Sequence, residues 1–347
     1  MNKPPTAQEV AELAGVSQSA VSRSFTNGAS VSEITRNKVL KAAAKLGYRP
    51  NAIARSLITR RSCIVALVMS YLENQFYPQV IERLSQQLQQ RGYHVLMFIS
   101  DMEDTDVVMA EILQYQVDGI VLASTSISAQ MTASCTSAQV PVVQFNRVSD
   151  LRGYSRHTVS SVTSDNYRGG RIVAELLASR GYRRIGFLAG LENSSTSIER
   201  ERGLKDGLAE AGLVISARAV GHYNFESAKA AVRQLFASRR SHIDALFAAN
   251  DHMAIAAMDV IRHELGMGIP DDIGVVGFDD VPQAAWSSYR LTTMIQSVEQ
   301  MVDQTVALLM QQMQGKAQRH HVVIPCTLVE RESLRSPQQR SKPQKRR

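Results

Sequence analysis

The chain has 347 residues, 44% of them hydrophobic, enough for two or three domains with substantial cores. Its formal charge of +7 is uneven: residues 1–62 hold ten Lys/Arg against three Asp/Glu, residues 334–347 six against none, and the stretch between 23 against 29, so the ends suit an anionic polymer and the middle something else. Three scattered cysteines, no apolar run of about 18 residues and no apolar signal-peptide core in MNKPPTAQEV argue against a disulfide framework, a zinc site, a membrane span and export, and a soluble cytoplasmic protein is expected.

Thr6-Ala-Gln-Glu9 reads as a capping box, a hydroxyl for the first helix amides and a carboxylate three residues on that reaches back. Val10, Leu13 and Ala14 form the expected inner stripe of a first helix, and Gly15 supplies the left-handed turn. Ser17 caps a second helix with Val21 and Phe25 inward and Gln18, Ser19, Ser22 and Arg23 on the opposite face. A third helix is expected from Ser32 to about Leu46, burying Ile34, Val39, Ala43 and Leu46. This is helix-turn-helix spacing, and Gln and Arg are the side chains suited to bidentate contacts with adenine and guanine. From spacing alone a small helical bundle with a polar surface stays open; the basic charge of the segment favours DNA. Next, Asn51 can cap a helix at Ala52 that ends within two turns. Residues 50–62 then read either as a plain linker or as a hinge that folds only on its partner.

From Cys63 short apolar runs alternate with amphipathic stretches. Strands are expected at 63–69, 93–100, 117–124 and 140–146, with helices at 78–92, near 105–115 and before 140. A second series has strands near 158–164, 183–190, 244–250 and 272–280, and helices at 166–180, 198–211 and 251–265. Two such series imply two α/β lobes with parallel sheets covered on both faces. Ligands in open α/β sheets lie beyond the carboxyl ends of the strands. The residues to inspect are therefore Asn146-Arg147, Asn250-Asp251 and Asp279-Asp280, with helix capping the preferred reading for Asp251 and Asp280. Arg200, read at a helix start where a cation suits the dipole poorly, is a further ligand or ion-pair candidate.

The segments VAELAGVSQSAVSRSF, VSEITRNKVLKAAAKLGYRPN and NAIARSL, and in the body SVTSDNYRGGRIVAELLASRGYRRIGFLAG, AANDHMAIAAMDVIRHELGMGIPDDIGVVGFDD and RLTTMIQ, resemble the lac repressor / galactose repressor family over nearly the whole chain. The resemblance implies a small all-α helix-turn-helix head (1–49), a hinge (50–62) and a two-lobe α/β core like periplasmic sugar-binding proteins with three crossovers (63–333); the tail (334–347), basic, polar and Pro-containing, is expected to be disordered from its composition. It implies that Gln18, Ser19 and Arg23 read bases and that Leu57 wedges into the minor groove, with Thr6, Ser17, Ser22, Asn51 and Arg55 completing the DNA-facing set. In the cleft it implies an effector held by Phe76, Tyr77, Thr196, Arg200, Tyr223, Asn250 and Asp279, to which the strand-end rule adds Asn146. Where lac-type pockets carry an acidic residue this chain has Arg168, by ungapped match; a second cation beside Arg200 would favour a sugar acid or sugar phosphate.

The expected protein is a transcriptional regulator, most simply a repressor. It binds pseudo-palindromic operator DNA as a homodimer, since the tail has no leucine heptads for a tetramer. No G-x-G-x-x-G follows a strand, and no P-loop, catalytic triad, metal-ligand spacing or cofactor motif is present, so neither enzyme chemistry nor a cofactor is expected. A solute-binding protein would suit the body alone, but the basic head argues against it.

Overall fold

A computed structural model describes residues 4–26, 28–51, 61–70, 72–100, 105–125, 127–148, 159–237, 243–316 and 320–337. The expected hinge helix with Arg55 and Leu57, and the tail from residue 338, lie outside these. The chain divides into two compact units, Met1–Cys63 and Ile64–Arg347.

The head holds α1 (Ala7–Ala14), α2 (Gln18–Ser24) and α3 (Glu33–Leu46). The Thr6 and Glu9 capping box forms, Gly15 closes α1 at φ 65°, and Ser17 and Ser32 cap the next two helices. The core of the head is Val10, Ala11, Val21, Val39, Ala42 and Ala43, with Phe25 and Tyr48 packed on it. Three residues expected inside are instead outside: Leu13 is 46% exposed, Ile34 72% and Leu46 36%. Helical phase explains the first two, because the buried arc of α1 centres between Val10 and Ala11, and Ile34 falls opposite Val39 on α3. Leu46 sits in the last turn, at the edge of the helix packing.

The second unit has two lobes. Lobe one is a six-stranded sheet of order β11-β5-β4-β3-β1-β2: β1 (Ile64–Met69), β2 (His94–Ile99), β3 (Gly119–Ala123), β4 (Val142–Phe145), β5 (Ser160–Ser164) and β11 (His321–Ile324). Its strands are all parallel. Lobe two has order β12-β10-β9-β8-β6-β7: β6 (Ile185–Ala189), β7 (Ile215–Val220), β8 (Ala245–Ala248), β9 (Gly274–Asp279), β10 (Thr292–Ile295) and β12 (Thr327–Val329). Only β12 runs antiparallel there. In β1, Val65, Leu67 and Met69 face one buried cluster while Ala66 and Val68 face another, as a sheet covered on both faces requires.

The helices of this unit are α4 (Phe76–Gln90), α5 (Thr105–Gln114), α6 (Ala129–Ser137), α7 (Asn166–Ser179), α8 (Ser195–Glu210), α9 (Phe225–Ala237), α10 (Asp251–Asp259) and α11 (Val298–Met313). The expected helix at 251–265 is α10 continued by a π-helical turn, Val260–Glu264. The chain passes between lobes three times: at Asp165, between β5 and α7; at Gln296-Ser297, between β10 and α11; and at Pro325-Cys326, between β11 and β12. The Cys326 thiol donates to the Asp165 carbonyl at 3.3 Å, tying two crossovers together. Leu334 and Arg335, expected in the tail, belong to lobe two. Leu334 is buried, and Arg335 N–H donates to the Tyr182 hydroxyl at 2.9 Å with its guanidinium over that ring.

Candidate functional site: the recognition helix and the interlobe cleft

On α2 the side chains of Gln18, Ser19, Ser22 and Arg23 are all exposed, while Val21 is fully buried beneath them. A seven-residue helix cannot hold itself together in water. It is fixed by Val21, by the Ser17 cap accepting from Ala20 N–H at 3.3 Å, and by Arg36 of α3, which donates to the Ser24 and Ala29 carbonyls at 3.2 and 3.4 Å. The Thr6 hydroxyl is occupied by its own capping box, accepting from Glu9 N–H at 3.3 Å. Asn51 is exposed at the end of the described head.

In the core, α8 begins at Ser195, three residues earlier than expected, so Arg200 stands in its second turn rather than at its start. Two glycines let α7 and α8 touch backbone to backbone: a Cβ at Gly170 would lie 2.2 Å from the Arg200 carbonyl oxygen, and one at Gly203 would lie 2.0 Å from that of Tyr167. Arg200 is thereby pinned inside, only 2% exposed. Its Nε donates to Asn166 Oδ1 at 2.8 Å, another nitrogen donates to the Ala249 carbonyl, and its guanidinium lies 3.6 Å over the Phe278 ring. It stands 3.8 Å from Asp279 Oδ1.

Asp279 ends β9 with φ 132°, a backbone state that L side chains rarely adopt and that the surrounding structure must impose. Its carboxylate accepts from Asn74 Nδ2 of lobe one at 2.9 Å and from Gln296 Nε2 of the second crossover at 2.6 Å. One acid thus ties both lobes and a crossover. Burial raises its pKa to about 6, with Arg200, Asn74 and Gln296 holding it down. Asp251, 0% exposed, accepts from Thr293 Oγ1 at 2.6 Å and Val281 N–H at 2.9 Å. Burial first, then the charge of Asp279, raises it to about 7.

The other wall is a group of hydroxyls and aromatics. Thr196 Oγ1 lies 2.8 Å from Ser194 Oγ and 2.9 Å from the Tyr223 hydroxyl, and accepts from Arg147 of lobe one at 3.1 Å. The Arg147 guanidinium stands 5.4 Å from the Tyr223 ring centroid. Tyr223 fits because residue 190 is glycine, where a Cβ would lie 2.1 Å from the ring. Phe76 and Tyr77 open α4, edge to face at 5.3 Å, with Phe76 stacked on Phe145. Tyr77 is raised in pKa, chiefly by burial and against the nearby Arg147 charge. At the rim, Glu73 of lobe one approaches Asn224 Nδ2 at 3.3 Å and His252 Nε2 at 3.5 Å of lobe two.

Asn146 ends β4 at φ 59° and is 6% exposed, with Oδ1 unpartnered. Asn250 caps α10, its Oδ1 accepting from Met253 N–H at 3.0 Å, which leaves Nδ2 buried and unpartnered. Gln296 Oε1 is likewise buried without a partner. Buried polar atoms left in this state cost about 1–3 kcal/mol each, so the core carries hydrogen-bonding capacity that its own side chains do not use.

Most of the sequence-based set is therefore brought together, with two corrections. Arg168 is not in this group: half-exposed, it pairs with Glu175 at 3.2 Å on the outer side of α7. The second buried cation is Arg147, directly after the strand end that sequence reasoning had marked. The capping reading for Asp251 and Asp280 also fails. The cap of α10 is Asn250, while Asp251 clasps β10 and Asp280 pairs with Arg331 at 2.7 Å. Asn74, Asn166, Ser194 and Gln296 were missed; of these only Ser194, a helix cap, carries a local signal.

Residues 6–51 match the family described as bacterial regulatory proteins, lacI family, and residues 174–334 match the periplasmic binding protein-like domain. The HTH-type transcriptional regulator CelR of Thermobifida fusca is 33% identical over 338 residues, 95% of this chain and 98% of that relative. The chain belongs to the lacI family of bacterial regulatory proteins. HTH-type transcriptional regulator AscG of Escherichia coli (strain K12) is 29% identical over 96% of this chain and 99% of its own. Among solved structures, the lac repressor dimer bound to operator and the anti-inducer ONPF matches 95% of this chain and 99% of that one at 28% identity with a TM-score of 0.85. The CelR–cellobiose complex matches equally widely at 32% identity and a TM-score of 0.71. This lacI-family chain is a DNA-binding transcriptional regulator with an all-α reading head and a two-lobe periplasmic-binding-protein-like core. Among the described residues no helix is long and apolar enough to cross a membrane.

Proposed function

We propose that this regulator is a cytoplasmic homodimeric repressor that binds a pseudo-palindromic operator and responds to a sugar or sugar acid held between its lobes, without catalysing a reaction. The observation that carries the reading is the unspent hydrogen-bonding capacity of Asn146, Asn250 and Gln296. It accompanies aromatic faces at Phe76, Tyr77 and Tyr223 and a buried acid-base pair at Arg200 and Asp279. Amides and charged groups bond hydroxyls in pairs, while aromatic rings pack on the C–H face of a sugar. The CelR structure named for cellobiose and the lac repressor dimer on operator support the same assignment. Arg147 takes over the argument for an acidic ligand that Arg168 cannot carry.

In this reading the effector changes the angle between lobes and the spacing of the two hinges at residues 50–62, so that Arg55 and Leu57 engage or leave the minor groove. Thermodynamic linkage then requires the operator to change effector affinity by the same factor. The test is selection of bound duplexes from a random library by the full-length protein near physiological salt, followed by calorimetry with cellobiose, ribose and hexuronates in the presence and absence of the selected duplex. A palindrome whose affinity shifts with one of these sugars is expected. A palindrome indifferent to every sugar and sugar acid, none of which binds, would remove the effector class; neutral sugars binding without their acids would remove the acidic option.

A further inference from the structure

The exposed face of α2 is internally wired. Arg23 Nε donates to the Ser19 carbonyl at 3.3 Å, and a terminal nitrogen of the same guanidinium donates to Ser19 Oγ, also at 3.3 Å. Ser19 Oγ in turn shares a hydrogen bond of 3.0 Å with Ser17 Oγ, whose oxygen caps the helix by accepting from Ala20 N–H at 3.3 Å. A hydroxyl has one proton and two lone pairs. Whichever serine donates, two of the three bonding positions of the Ser19 hydroxyl are used within α2. Gln18 beside it is longer, and among the described residues no side-chain bond ties its amide in this way.

We propose that Ser19 positions Arg23 and reads no base of its own, so that Gln18 and Arg23 carry the base recognition of this helix. This rests on the head being an operator-reading module. The geometry supplies the reason. An arginine anchored at both Nε and a terminal nitrogen is held along the helix, and among the described residues no side-chain or backbone acceptor takes its remaining N–H groups, the arrangement in which a guanidinium fork meets guanine O6 and N7. Fixing a side chain before binding removes the rotamer entropy that ordering it on DNA would otherwise cost. Gln18 has the amide that pairs with adenine. The expected half-site therefore contains one guanine under Arg23 and one adenine under Gln18, with no third base pair assigned to Ser19.

The experiment is position-resolved binding selection on randomised duplexes with the full-length protein, comparing wild type, Ser19→Ala, Ser19→Thr, Arg23→Ala and the Ser19→Ala/Arg23→Ala pair. Ser19→Ala is expected to weaken discrimination roughly two- to tenfold, the effect of one hydrogen bond. The loss should fall at the same base pair whose preference Arg23→Ala abolishes. Ser19→Thr, which keeps the hydroxyl, should restore it, and the double variant should be no worse than Arg23→Ala. Ser19→Ala flattening a different base pair, with effects that multiply in the double variant, would make Ser19 a reader and overturn the assignment. So would an unchanged profile. A wild type without sequence preference would instead remove the operator-reading premise itself, a result distinct from either.

Discussion

Replacing Arg200 by methionine keeps most of its volume against Phe278 but takes the cation from beside Asp279, 3.8 Å away. At an effective dielectric of about 20, that separation corresponds to roughly 4 kcal/mol of attraction, or about three pKa units. Asp279, at about 6 with the arginine present, would then stay protonated in the folded protein well above neutrality. A raised carboxyl pKa makes folding least favourable at high pH. In wild type, this group makes stability fall as pH rises from its unfolded value to about 6, after which its effect levels off. In Arg200→Met the decline continues, at about 1.4 kcal/mol per pH unit. The two proteins should therefore differ by a constant amount up to pH 6, from the lost bonds to Asn166 and Ala249. By pH 8 they should differ by about 3 kcal/mol more. Urea unfolding followed by far-ultraviolet circular dichroism at pH 5, 6, 7 and 8 measures this. The control is Arg200→Met/Asp279→Asn, in which the extra slope should vanish. A difference that does not change between pH 5 and 8 would mean that the two side chains do not sense each other, and the ion-pair description of the cleft would be wrong.

Gly203→Ala should lower stability by about 1–3 kcal/mol and reduce Tm, because its Cβ would meet the Tyr167 carbonyl oxygen at 2.0 Å, and backbone cannot yield as a flexible side chain would; an unchanged Tm would show that α7 and α8 pack less closely than described. In the head, Thr6→Ala removes the acceptor for Glu9 N–H and should cost about 1 kcal/mol. That should raise hydrogen exchange of the first α1 amides roughly fivefold without changing those of lobe two; an equal rise throughout the chain would contradict the division into two units.

What the sequence disclosed and what it concealed follow one physical division. Where a residue's role depends on neighbours within a turn, the sequence was legible. The Thr6/Glu9 box, the Ser17 cap, the Gly15 turn and the central strands whose runs are apolar on both faces all lie where periodicity and capping placed them. The edge strand β7 (ISARAV) alternates between half-buried and exposed residues and offers no apolar run, and β11 (HVVI) is too short to show a period, so neither was read as a strand. The cleft divides in the same way. Asn146, Asn250 and Asp279 are visible because strand ends in an open α/β sheet point at ligands. Asn74 and Gln296 are not, because the bonds that bring them to the site are to Asp279, 205 and 17 residues away along the chain. Arg168 and Arg147 show the limit most plainly. Both are arginines near marked elements, but α7 turns the first outward to Glu175 while the end of β4 carries the second inward to Thr196. A difference of face separates the two cations, and the inward one is met by Thr196 of the other lobe, a contact that no local pattern records.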